Sequence, residues 1–345
     1  MLIGTGSRLS AQDYDDEKYL QNLYLQLDEA IDQSPEYVSK RVKDISETRK
    51  KLLAEDSQEK RFALAEQLFA LYQPYMNDSA LYYADVCIAL ADSLNRKDMT
   101  GLYLSLKALQ CSNTGMPVEA LDLLKRVDRP ALGPKELTKY YAAWMHVCGE
   151  VGSHSPQRDV QLSYYAMQDD FRDSVLAVAE EGSEEFLHLK MDVLSARRQY
   201  QEALKVSDTW LSKVSEGTHE KAYASFYRSM VYDHLGNGRL LRFWLAKSAI
   251  DDIKCAVFNQ ASLFMLAEKL CEDGDYERAE RYVRFTEDCN TAFSPQLRSY
   301  QVRYVTNVME ALYQHSQARY SRLLTIACVV GLLLLGVLVF IIRKR

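Results

Sequence analysis

The sequence predicts an all-α protein, a right-handed solenoid of helix hairpins that ends in a single transmembrane helix. Three observations predict it. Gly 14 and Pro 7 are low counts for 345 residues, whereas all-β and compact α/β folds need many tight turns, which Gly and Pro usually supply. Apolar residues recur at three-and-four spacing along almost the whole chain, the period of one helix face. Finally, Leu323 to Ile342 reads LLTIACVVGLLLLGVLVFII, 20 residues without a charge. At about 1.5 Å rise per residue such a helix spans about 30 Å, the thickness of the hydrocarbon layer. Hydrophobic residues at 48% and charged residues at 26% describe a globular chain rather than a disordered one. A net charge of -6 gives no basic footprint, so no nucleic-acid partner is expected for this segment.

Residues 1–12 read as the remnant of a signal peptide. Ser10-Ala11 before Gln12 is similar to a signal-peptidase site, although only Met1, Leu2 and Ile3 are apolar ahead of Gly4. Residues 13–96 read as an N-terminal helical region. Its first helix carries Tyr19/Leu20, Leu23/Tyr24, Leu27 and Ala30/Ile31 at the spacing of one face. Ser34-Pro35 supplies an N-cap and a first-turn proline for the second. That helix has a narrow seam of Val38, Val42, Ile45 and Leu52, with Lys40, Arg41, Lys43, Arg49, Lys50 and Lys51 read as a solvated face. Helices over 61–72 and 79–94 form a hairpin about Asn77-Asp78-Ser79.

Residues 97–293 read as helical repeats. In helix-pair repeats a small residue early in the second helix lets two backbones approach, with an aromatic or Gly about three residues before it. Tyr200 with Ala203, and Gly274-Asp275-Tyr276 with Ala279, fit that pattern. The turn between them holds Gly238, so Tyr200, Gly238 and Tyr276 stand at two equal steps of 38 residues. An earlier unit holds Gly115 and Ala120, and a looser one spans 140–176 with Ser155-Pro156 in its turn. The pattern resembles tetratricopeptide (TPR-like) repeats, whose consensus is about 34 residues. Ser294-Pro295 then caps a final amphipathic helix over 294–322, which runs without Gly or Pro into the span at 323–342 and the basic tail at 343–345. One long rigid helix from Pro295 into the bilayer is expected.

Cations flank the span evenly. Arg303, Arg319 and Arg322 precede it, and Arg343, Lys344 and Arg345 follow, so the positive-inside rule gives a tie. The signal remnant breaks the tie and puts the repeats outside the cytoplasm. Without it, the protein is a tail-anchored scaffold or assembly factor facing the cytosol. Gly331 and Gly336 lack the small-x-x-x-small spacing of one common dimer motif, which leaves a homodimer open.

The chain carries no recognisable chemistry. The six histidines make no H-E-x-x-H and no Cys-His metal spacing, and no phosphate-binding Gly loop occurs. Glu180, Glu181, Glu184 and Glu185 read as a solvated helix boundary. No catalytic residue, metal or cofactor is expected, and the protein is not expected to be an enzyme. The compositional oddity is 23 tyrosines, often paired. Most fill the space between stacked helices. The sharper reading lines a partner groove with Tyr141, Trp144, Tyr223, Tyr227 and Tyr232, for a protein or peptide ligand.

The stretch LDEAIDQSPEYVSKRVKDISETRKKL (Leu27 to Leu52), followed by FALYQPYMNDSALYYADVCIALA (Phe69 to Ala91), resembles a family of membrane-anchored tetratricopeptide-type regulators of Gram-negative gut bacteria. The shared features include Tyr72, then Asp78-Ser79-Ala80-Leu81, then Tyr83-Ala84. The resemblance implies a sensor or scaffold module for signal transduction or transcriptional regulation. It also implies a single-pass anchor in the inner membrane with periplasmic repeats. Longer members continue into the cytoplasm with an output domain, so the resemblance implies that these residues are the sensor or scaffold half, with the output half expected to be missing here.

Overall fold

Helices follow one another in pairs. The computed structural model describes residues 17–294 and 299–344, and among them there are fifteen α-helices and no strand. The pairs are α1 (Glu17–Asp32) with α2 (Ser34–Ala54), α3 (Gln58–Tyr72) with α4 (Asn77–Ser93), and α5 (Lys97–Asn113) with α6 (Pro117–Lys125). Next come α7 (Pro134–His154) with α8 (Arg158–Val178), α9 (Glu184–Ala196) with α10 (Tyr200–Lys213), and α11 (His219–His234) with α12 (Gly238–Lys254). The last pair is α13 (Ala261–Glu272) with α14 (Tyr276–Phe293), and α15 (Ser299–Lys344) follows. The solenoid is therefore built of helix hairpins. The signal-peptide reading of 1–12 and the Pro295 cap lie outside the described residues.

One turn recurs, and its backbone explains the residues that occupy it. Gly115, Arg198, Gly236 and Gly274 all have positive φ, at 82°, 58°, 66° and 87°. Each lies between the two helices of a pair. The next N–H reaches back five residues: Met116 to Cys111, Gln199 to Leu194, Asn237 to Tyr232 and Asp275 to Leu270, at 2.8–3.0 Å. This is the Schellman ending, in which a left-handed residue lets the chain recapture an orphan carbonyl. The second helix then begins at once, with Pro117, Tyr200, Gly238 and Tyr276 as first residues of α6, α10, α12 and α14. Asn237 and Asp275 cap two of these starts, accepting from the N–H of Leu240 and Arg278. One turn into each second helix stand Ala120, Ala203 and Ala279, each 0% exposed, and Leu241 at 2%.

Two local starts differ from the sequence reading. Ser34 is not the cap of α2. Gln33 occupies that position in a helical conformation without a side-chain cap bond, so α1 turns into α2 across one residue. Asn77-Asp78-Ser79 is not the turn of the next hairpin but the first turn of α4. Asn77 is 1% exposed and its amide donates to Thr114 Oγ1 at 3.3 Å, a buried tie to the end of α5.

The array returns on itself. Leu20, Leu23, Tyr24, Leu27, Ala30 and Ile31 of α1 are buried in one core with residues of α12, α13 and α14, some 220 positions later. Asp28 lies 3.6 Å from both Arg278 and Arg281 of α14. Arg281 also donates to the Asp28 carbonyl at 3.0 Å and to Asp32 at 2.8 Å, while Arg278 sits over the Tyr24 ring at 5.0 Å. A second seam forms beside the first. Arg41 of α2 donates to the carbonyls of Leu71 (2.6 Å) and Cys255 (2.5 Å). Phe258 N–H donates to the Pro74 carbonyl, and its ring packs 4.7 Å from Tyr75. Arg41 is thus no solvated cation, because two carbonyls left over at helix ends require a donor there.

Helix α15 runs unbroken for 46 residues. Val308 and Leu312 are buried against the same core as α1, and His315 stacks on Tyr276 at 3.9 Å. Beyond that point Arg319, Arg322 and the apolar side chains from Leu323 to Leu334 are exposed. A segment at Leu312–Leu334 is long and apolar enough to cross a membrane. Arg343 is exposed, Lys344 ends the helix, and Arg345 lies outside the described residues.

Candidate functional site

Three first helices of successive pairs, α7, α9 and α11, are tied by polar and aromatic side chains. Lys139 of α7 forms an ion pair with Glu185 of α9. His188, one turn along α9, lies 3.8 Å from the Tyr227 ring and 5.8 Å from the Tyr223 ring, both on α11. The two tyrosines meet edge to face at 4.8 Å, with their hydroxyls 3.2 Å apart. Trp210 of α10, 2% exposed, backs both at 5.9 and 6.0 Å. Tyr223, Tyr227 and His188 are half-buried, so each shows part of its surface to solvent.

Helical spacing explains the local geometry. Tyr223 and Tyr227 are four apart and so share one face of α11. His188 and Asp192 are likewise four apart, and Nε2 lies 3.3 Å from Oδ2. Burial pushes the Tyr223 phenol up to about 12 and Tyr227 well above the usual tyrosine value. Both phenols stay neutral and can donate or accept a hydrogen bond.

The start of α11 is tied to the end of α12. His219 opens α11, and its Nδ1 lies 2.7 Å from Asp252 Oδ1. Burial opposes protonation of His219, but the bond to Asp252 and the charges of Asp252, Glu184 and Glu220 together outweigh it and raise its pKa. Asp251, 4% exposed, accepts from Gly217 N–H at 3.1 Å, and burial raises its carboxyl to about 6.

The five aromatic residues singled out from the sequence do not form one group. Tyr223 and Tyr227 are together. Tyr232 lies further along α11, its ring 5.7 Å from the Arg228 guanidinium, which also covers Trp244 at 4.7 Å. Tyr141 and Trp144 belong to α7 and are 8% and 9% exposed. Trp144 stacks on Phe171 of α8 at 5.2 Å, and Tyr141 packs near the same ring. Sequence reasoning missed His188, Trp210 and the Lys139–Glu185 tie. Glu185 in particular is engaged rather than simply solvated. The legible signal was the His188/Asp192 spacing beside Phe186 and Leu187, an aromatic and polar mixture on one helix turn.

The arrangement offers flat, partly exposed rings and fixed hydroxyls, which suit recognition of another chain. Among the described residues no three His, Cys, Asp or Glu side chains converge on a point that would hold a metal. A family model described as the SusR N-terminal TPR domain matches residues 31–304. No curated protein matches the chain.

Proposed function

The chain belongs to the family of SusR N-terminal TPR domains, and from that premise we propose that it is the sensing half of a membrane-anchored regulator. TPR-type arrays are protein-interaction modules and are typically not enzymes. In this reading the α9–α11 face, centred on Tyr223 and Tyr227, docks a protein or peptide. Helix α15 carries the bound state to the bilayer through residues 323–342. The repeats lie in the periplasm and the protein crosses the inner membrane once.

The observation that supports this most is the half-buried His188–Tyr223–Tyr227 group. Its rings are held from behind by Trp210, so little side-chain entropy is lost when a partner covers them. Support for the anchor comes from the exposed apolar surface of α15, which water would otherwise cover at large cost.

Photo-crosslinking tests the docking face. A benzophenone side chain replaces Tyr223 in the full chain in native membranes, and in a second variant it replaces Tyr82, which is 62% exposed on α4. A defined adduct from position 223 and none from position 82 is expected. Equal adducts, or none at 223, would overturn the assignment. Protease added to intact spheroplasts tests the topology. Digestion of the repeats supports the periplasmic reading, and full protection supports a tail-anchored protein facing the cytosol.

A further inference from the structure

A second surface has features suited to a partner of different chemistry. Between α2 and the α3–α4 turn lies a cleft of about 340 Å³. Tyr72 and Tyr75, both 8% exposed, form its floor. Val42 and Leu53 of α2 line it and are 48% and 83% exposed, so Val42, expected in the packed seam, stands outside it, beside buried Ile45, which lines the same cleft. Arg49 and Lys50 stand on the rim, both exposed.

Charge singles out this helix. α2 carries six cations against three anions, in a chain whose net charge is -6. Of the six, Arg41 is used internally between Leu71 and Cys255, Lys43 lies 4.0 Å from Glu47, and Arg49 shares a hydrogen bond with the Tyr83 hydroxyl while its side chain stays exposed. Arg49 and Lys50 border apolar walls and an aromatic floor, a combination that holds a carboxylate beside a greasy side chain. A lipid surface is a poorer fit. Interfacial helices lay a broad, convex apolar face into the membrane, whereas here the apolar atoms line a concavity with cations at its edge.

We propose that the α2/α3–α4 cleft is a docking site for an acidic segment of a protein partner, which inserts an aliphatic or aromatic side chain over Tyr72 and Tyr75 and sets its carboxylates against Arg49 and Lys50. The cleft is separate from the α9–α11 face and does not depend on it.

The test uses the full chain in detergent micelles and the peptide Asp-Glu-Leu-Asp-Glu-Phe-Asp-amide carrying fluorescein on its N-terminal amine, followed by fluorescence anisotropy. Binding that weakens with added salt is expected. Arg49→Glu with Lys50→Glu should weaken it by about tenfold or more, since reversed charges repel the peptide. Val42→Ser with Leu53→Ser should weaken it with the cations intact. Lys205→Glu, on the remote α10, should leave it unchanged, as should Tyr223→Ala. All four sites are on the surface or half-buried, and circular dichroism checks each fold. Equal affinity in the Arg49/Lys50 variant overturns the proposal, as does no binding at ~1 mM protein, where only negligible affinity would be missed. Two further results overturn it: binding confined to phosphatidylglycerol vesicles, and self-association lost in the Arg49/Lys50 variant without any binding of the peptide. Loss of peptide binding in Tyr223→Ala alone would instead place the acidic ligand on the other face.

Discussion

The closure between α1 and α12–α14 and the outer helix α8 make opposite use of similar lengths of chain. α1 has 16 residues and buries six of them. α8 has 21 residues and buries one, Val175. The ends of an open helical array usually fray, because each terminal unit has a neighbour on one side only. Here the first helix covers the last pairs, so the termini share a core, and the solenoid helix with the fewest buried residues, α8, lies in the middle of the chain, packed chiefly on α7. Stability then has a long-range component that a sum over neighbouring repeats does not contain.

The largest effect should come from Leu27→Ala. Leu27 is 0% exposed, and truncating such a leucine costs about 2–5 kcal/mol. Urea unfolding should show that loss. A smaller loss, below about 1 kcal/mol, would mean that α1 docks only loosely. Val175→Ala provides the contrast. Val175 joins Tyr141 of α7 to Leu189 of α9, and removing its methyls should cost roughly 1–3 kcal/mol. Limited proteolysis of this variant should cut first between α8 and α9. A first cut elsewhere would show that α8 is not the weak element.

A pH series probes the junction between the end of α12 and the start of α11, next to the closure. Asp251 has a folded value of about 6, above its ordinary 3.8. Its ionised form is therefore penalised in the native state. The penalty starts as pH rises past the unfolded value and is complete above about 6. His219 is raised in the folded state. Its contribution is fully present below the unfolded histidine value and is lost as pH rises through the folded one. Both slopes run the same way, so the chain should resist urea better at mildly acidic than at mildly alkaline pH. Each proton taken up contributes at most about 1.4 kcal/mol per pH unit. Asp251→Asn should flatten the acidic limb and leave the limb due to His219. An unchanged profile would remove Asp251 from the account.

The smallest effect should be a gain. Arg198 has φ 58° where the equivalent residues are Gly236 and Gly274. A left-handed conformation costs an L-residue about 1–2 kcal/mol. Part of that returns as unfolded-state entropy on substitution with Gly. Arg198→Gly should therefore stabilise by up to about 1 kcal/mol, seen as a higher urea midpoint. Destabilisation would show that the Arg198 side chain contributes more than its backbone strain.

The fold class was legible because helical periodicity and turn chemistry are local. The 38-residue steps mark the same backbone event three times: a left-handed residue, a recaptured carbonyl and a new helix start. What α1 packs against was not legible. Its apolar stripe says that a cover is needed, and Leu20 to Ile31 would look the same under α2 or α13. The cap at Ser34 was misplaced because Gln33 continues the helical backbone, so no residue there needs to be an N-cap. Asn77 was read as a turn residue because Asn, Asp and Ser favour turns, whereas its buried bond to Thr114 depends on α5 being present. Part of the candidate face was visible, since the Tyr223/Tyr227 spacing places both on one side of a helix. His188 and Trp210 come from other helices, and only the stacking order brings them there. Tyr141 and Trp144 share the same composition signal but meet Phe171 of α8, which their own helix does not encode.

Hydrogen exchange on Leu27→Ala tests the closure most directly. The substitution sits in α1, so a closed array should transmit the loss of packing to α12, α13 and α14. Faster exchange in peptides from 238–293, with α3 and α4 unchanged, is the predicted result. Faster exchange confined to 17–72, with 238–293 as in the parent chain, would contradict it.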